Sequence, residues 1–127
     1  MSEGEMVINR MRLIDAINNN NITLGIGQFL DDFKRADNKY ELIKDEPISM
    51  QASKAALCYA AAVAHKLAND SNINVPEWVY RATYVMPEPV YAHNTKNEKF
   101  QEHLRNTSFP EFTSRNLFYG DNVVSRC

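Results

Sequence analysis

The chain has 127 residues, 44% of them apolar and 24% charged; this is the size and make-up of one globular domain, which excludes wholesale disorder. Lys and Arg number 14 against 16 Asp and Glu, for a formal net charge of −2. Proteins that track phosphate backbones carry a basic excess or a concentrated basic face, so nonspecific nucleic-acid binding is disfavoured. No apolar run reaches the roughly 18 residues a membrane helix needs. The acidic opening Met1-Ser2-Glu3-Gly4-Glu5 is unlike a secretory signal. Together these predict no membrane partner and a cytoplasmic location, in which Cys58 and Cys127 stay reduced.

In chain order, Val7, Met11, Ile14 and Ile17 recur at three- and four-residue steps, which predicts a helix over Glu5–Asn18. Ser2 and Glu5 stand at capping-box spacing before it. Asn18 to Asn21 interrupt it, because asparagine favours turns. A second helix is expected from Thr23 to Arg35, with Ile26, Phe29, Leu30 and Phe33 inward and Asp31, Asp32, Lys34 and Arg35 toward water. A short helix over Asn38–Lys44 should follow, ended at Glu46-Pro47. From Ser49 to Asn69 there is neither glycine nor proline, and alanine recurs throughout. So many small side chains between Ala55 and Ala64, with so little charge, predict a helix surrounded on most sides. It is the expected centre of the fold.

Beyond it the pattern becomes irregular. Asn74-Val75-Pro76-Glu77 reads as a start signal for a short helix carrying Trp78, Val79 and Ala82. Met86-Pro87-Glu88-Pro89 then imposes extended backbone. Thr95 with Glu98 predicts a capped helix to Asn106, and Ser108 with Glu111 a brief capped turn. Leu117 to Tyr119 reads as a short strand and Asp121 to Arg126 as a terminal helical turn.

Chemical motifs are few. Cys58 and His65 stand seven apart on one helix, roughly 10 Å along its axis, too far to share an ion. The remaining histidines, His93 and His103, pair with no nearby ligand spacing, so no metal is expected. Cys58 lies among alanine, leucine and tyrosine, where nothing would lower its pKa; a buried structural thiol is the reading. Neither a nucleophile elbow nor a phosphate-cradling glycine loop is present. Adjacent Asp31 and Asp32 diverge by about 100° on a helix and cannot act as one acid–base pair. No catalytic residue and no cofactor is therefore assigned. The C-terminal half holds most of the aromatic side chains, together with arginines, the types that anchor protein interfaces.

The tail Phe112-Thr113-Ser114-Arg115-Asn116-Leu117-Phe118-Tyr119, followed by Asn122 and Arg126, is similar to the closing pattern of a family of small bacterial proteins. In these a tryptophan-bearing segment, here Pro76-Glu77-Trp78, precedes a Phe-x-x-Arg-Asn-Leu/Ile-Phe stretch and a final Asn-x-x-x-Arg. That resemblance implies a bacterial source and a place among toxin–antitoxin or mobile-element genes, some near nucleotidyltransferase-like toxins, with a partner protein encoded nearby.

The expectation is thus a mainly α fold over residues 1–127, a single-domain helical bundle around the alanine-rich helix with an irregular, aromatic-rich C-terminal part. Its function is read as non-enzymatic, a protein-interaction or regulatory role of antitoxin type. Trp78, Arg81, Tyr84, Arg115, Asn116 and Arg126 form the partner-binding set. The planar guanidinium groups of Arg115 and Arg126 would pair with carboxylates, either within the domain or on the partner. Two alternatives differ in class. The first two helices could form a helix-turn-helix DNA reader, which a basic patch on the second would favour. An enzyme would show a deep pocket lined by His93, His103 and carboxylates.

Overall fold

The computed structural model describes residues 10–18, 22–47, 52–121 and 123. Its fold is mainly helical: α1 (Leu13–Ile17), α2 (Ile22–Arg35), α3 (Tyr40–Ile43) and α4 (Lys54–Asp70) precede two 3₁₀ turns at Glu77–Tyr80 and Ala82–Tyr84. Strand β1 (Val90–Tyr91), a 3₁₀ turn at Ala92–Asn94, helices α5 (Glu98–Thr107) and α6 (Pro110–Thr113), and strand β2 (Leu117–Phe118) complete it. The strands pair in parallel, Val90 beside Leu117 and Tyr91 beside Phe118.

Helix α4 is the centre. Cys58, Ala60 through Ala64, Leu67 and Ala68 are all buried, and the helix packs against α1, α6 and both of the first 3₁₀ turns. Methyl side chains let those neighbours approach, while Val63, Phe112, Val79, Leu13 and Leu117 fill the space between them. Ser53 opens the helix by accepting the amide of Ala56 at 3.1 Å. Asn72, at φ +55°, closes it: Ile73 donates to the carbonyl of Ala68 at 3.0 Å and Asn72 to that of Asn69 at 3.3 Å, a Schellman ending with asparagine in the left-handed position. Leucine at Ala60 or Ala61, both fully buried, should overpack this centre and cost roughly 1–3 kcal/mol. Urea melts of both variants will show it; parental midpoints would place this face of α4 in solvent.

Several boundaries differ from the sequence reading, and the capping groups explain why. Among the described residues the first helix starts only at Leu13. Met11 gives its amide to Asp32 Oδ2 at 2.7 Å and Arg12 gives its own to Asp15 Oδ2 at 3.2 Å. Asp32 is therefore no solvated residue of α2; it caps the neighbouring segment. Residues 2–5 and 7 lie outside the described residues. The alanine-rich helix begins at Lys54, since Ser53 is its cap, and 49–51 lie outside. Asn74 caps nothing; Pro76 precedes a 3₁₀ turn instead of an α-helix.

The cap of α5 is Asn97, which accepts from the Phe100 amide at 2.9 Å, and Thr95 accepts from Asn97 at 3.2 Å. Ser108 is likewise no cap of α6. Its hydroxyl donates back to Leu104 at 2.6 Å and accepts from Gly120 at 2.9 Å. The short strand is present at Leu117–Phe118, and Leu117 is fully buried. Phe118 stacks on Tyr91 at 5.2 Å, and the Val123 carbonyl accepts from Tyr59 at 3.3 Å. Most of the expected terminal turn, with Asn122, Val124 and Arg126, lies outside the described residues.

Candidate functional site

Between α4 and α5 the chain has only short 3₁₀ turns and one two-residue strand, so side chains must fix its path. Around residues 77–86 they do so at both ends and in the middle. Trp78 is buried, and its indole N–H donates to the Ile43 carbonyl of α3 at 3.0 Å. The ring of Tyr84 meets the Trp78 ring edge-on at 5.5 Å, and its hydroxyl donates to Glu46 Oε2. Burial, then that bond to Glu46, pushes the Tyr84 hydroxyl well above its ordinary pKa. The other oxygen of Glu46 pairs with Arg81 Nε at 3.2 Å.

From behind, Arg115 reaches the same segment. It is only 4% exposed, donating from Nη2 to the Val79 carbonyl at 2.7 Å and from Nη1 to the Glu111 carbonyl at 2.6 Å. Nη1 also lies 3.3 Å from His65 Nδ1. A guanidinium has only donors, so Nδ1 must accept and the imidazole carries its proton on Nε2. The Arg115 carbonyl accepts from Met86 at 3.1 Å. Asn116, left-handed at φ +62°, donates its side-chain amide to the Met86 carbonyl at 2.7 Å and its own carbonyl accepts from Val90 at 2.8 Å. Asparagine tolerates that backbone better than most residues.

Trp78, Arg81, Tyr84, Arg115 and Asn116, read from the sequence as one partner-binding set, thus converge on one segment. Arg126 lies outside the described residues. Trp78, Tyr84 and Arg115 are buried there and hold the segment from inside, whereas Arg81 is exposed. Nor does Arg115 meet a carboxylate fork. Its partners are two carbonyls and an imidazole, because α6 turns the Glu111 carboxylate toward Asn69, which donates to Oε2 at 2.8 Å. What the segment presents outward is Tyr80, 64% exposed, with Arg81 and Val85 also exposed.

Sequence reasoning missed His65 as a member of this group. The Tyr80 ring stands edge-on to it at 5.2 Å. Burial, then the positive charge of Arg115, lowers the His65 pKa, with Glu111 acting in the other direction. Glu111 Oε1 and Arg115 Nε are buried with no hydrogen-bond partner, an arrangement that costs about 1–3 kcal/mol per group. For Glu111 desolvation opposes ionisation, yet Asn69, its own backbone amide, Lys66 and His65 together hold its pKa down. The only available signal would have been a histidine in an otherwise small and apolar helix.

The alternatives meet different surfaces. A cavity of about 410 Å³ is lined by His93 together with Tyr59, Tyr91, Ala92, Asn94, Tyr119 and Val123. It contains neither His103 nor a carboxylate; His103 stacks on Phe100 instead. Near α1 and α2, Arg10 faces Asp32 at 3.9 Å and Arg12 faces Asp45 at 3.1 Å, a mixed surface and not a basic one. Among the described residues, no helix is long and apolar enough to cross a membrane, and no three His, Cys, Asp or Glu side chains cluster as metal ligands would. Cys58 is buried, and burial raises its pKa. No protein family, curated protein or solved structure matches the chain.

Proposed function

We propose that this is a non-enzymatic interaction protein that presents Tyr80, Arg81 and Val85 to another protein, in its most concrete form an antitoxin-like regulator whose partner is encoded beside it. One observation carries the reading: a segment built of two short 3₁₀ turns is fixed by Trp78, Tyr84, Arg115 and Asn116 while its tip is left exposed. Burying a tryptophan and an arginine to hold an exposed tyrosine–arginine pair gives a rigid display element. Rigidity lowers the entropy lost on docking, and Tyr and Arg are the side chains that contribute most at interfaces. The family resemblance of the tail supplies the bacterial setting and the nearby partner.

The test is co-expression with the product of the adjacent gene, followed by size-exclusion chromatography and titration. Tyr80→Ala and Arg81→Ala should each weaken the complex about tenfold or more, with melting behaviour close to parental, as for surface substitutions generally. Complexes of unchanged affinity in both variants would refute the reading.

A further inference from the structure

We propose that His65 and Arg115 form a proton-operated latch under the display turn, so that protonation of His65 releases residues 77–86 and regulates docking. The inference rests on the reading of that turn as the docking element. Its geometry, however, is internal to this chain.

Arg115 is the only described side chain that reaches from the tail to the carbonyl of Val79, at the middle of the first 3₁₀ turn. The same guanidinium donates to His65 Nδ1. That contact exists only while Nδ1 carries a lone pair. A proton there sets donor against donor and a second positive charge beside a buried first one.

The groups around His65 offer the new charge little relief. On α4 itself, Lys66 is a cation, paired with Asp70 at 3.0 Å and lying 3.9 Å over the Phe109 ring. From the display turn comes Tyr80, whose ring edge abuts the imidazole. From α6 comes Glu111, the one anion of the cluster, with Oε2 engaged by Asn69 and Oε1 buried and unpartnered. Glu111 is the one group there whose charge favours the protonated imidazole. Repulsion of Arg115 by the protonated ring removes support from the turn at Val79.

The sign follows from the lowered pKa of His65. The closed turn binds fewer protons than the open one, so closure is complete above the free imidazole value of about 6.5 and is lost as pH falls below it. Glu111, whose pKa is also lowered, acts only at lower pH, as pH falls through the ordinary carboxylate value and below it. The other described histidines, His93 and His103, are exposed; His93 lines the cavity beside Tyr59 and Tyr91, and His103 stacks on Phe100.

Amide hydrogen exchange of the full chain, corrected for intrinsic rates and followed from pH 7.5 to 5.0, tests the latch without any partner. Opening of residues 77–86 should increase by up to about tenfold per pH unit below 6.5, the slope of one proton, while α2 amides keep their protection. His65→Gln, which retains an acceptor and cannot titrate, should abolish the slope. Should that variant fold poorly, the wild type still decides the matter. The imidazole titration of His65, read by NMR, must share its midpoint with the opening of the turn. A flat wild-type profile, an equal slope in α2, a slope that survives His65→Gln, or mismatched midpoints would each overturn the latch. Opening that follows His65 in a protein whose Tyr80 and Arg81 variants bind the adjacent gene product normally would keep the latch and refute the docking role.

Discussion

Replacing Arg115 with methionine is expected to lower the free energy of unfolding by about 3–5 kcal/mol, a large share of the 5–15 kcal/mol typical of a domain. Methionine keeps most of the aliphatic volume, so the loss is chiefly polar. Two carbonyls, Val79 and Glu111, would lose charged donors at 2.7 and 2.6 Å, and such bonds contribute about 1.5–3 kcal/mol each. A relief enters with the opposite sign: a buried guanidinium without a carboxylate partner is costly, as burial's depression of the Arg115 pKa indicates, and some buried charges are dispensable. The bonds win because both acceptors are backbone groups, and the bond to Val79 lies in the buried interior, where its carbonyl is left bare when the donor leaves. Urea denaturation at pH 7.5 measures the sum. A variant within 1 kcal/mol of the parent would mean that desolvation of the charge cancels its bonds, and that Arg115 does not hold the turn.

The same residue shows how far the sequence could be read. Helical spacing of Ile26, Phe29, Leu30 and Phe33 placed the inner face of α2 correctly, and all are buried. The alanine run placed α4 at the centre for a physical reason that needs no partner information: methyl groups suit a helix enclosed by others. Caps were harder, because a capping box is a spacing of residue types and several pairs compete. Thr95 with Glu98 lost to Asn97, the residue directly before the helix, and Asp32 abandoned solvent for the amide of Met11. The bond from Met11 to Asp32 joins segments 21 positions apart, and no local pattern contains it.

Five of the six residues expected to bind a partner meet at one segment, where Trp78, Tyr84 and Arg115 are buried. Tryptophan, tyrosine and arginine in an irregular stretch signal either an interface or an anchor, and composition does not separate the two. Separation depends on whether Ile43 offers a carbonyl to Trp78 and whether Val79 offers one to Arg115. Those are properties of the chain path. The place of His65 beside Arg115 was hidden for the same reason: the two stand fifty positions apart in sequence.

Trp78→Ala should be comparably destabilising, by about 3–5 kcal/mol, the usual cost of removing a buried large aromatic side chain. Trp78 is 5% exposed, and its loss strips the Tyr84 ring of its edge-on neighbour at 5.5 Å as well as uncovering the Ile43 carbonyl. A second substitution separates these contributions. Trp78→Phe keeps much of the ring volume and gives up the indole N–H, so its cost should be about 1–3 kcal/mol, the penalty for one buried acceptor left bare. The order parent, phenylalanine, alanine in urea midpoints is the expected result. Partner affinity should follow a different order. Tyr80→Ala, at a side chain 64% exposed, should lose the partner while keeping stability, whereas Trp78→Phe should keep the turn and most of the affinity. If Trp78→Phe instead lost the partner as fully as Tyr80→Ala at parental stability, Trp78 would be a contact residue and not an anchor. The display surface would then have to include Trp78 itself. Equal stability of parent and Trp78→Ala would refute the anchoring role altogether, since no docked tryptophan with a satisfied indole can be removed without cost.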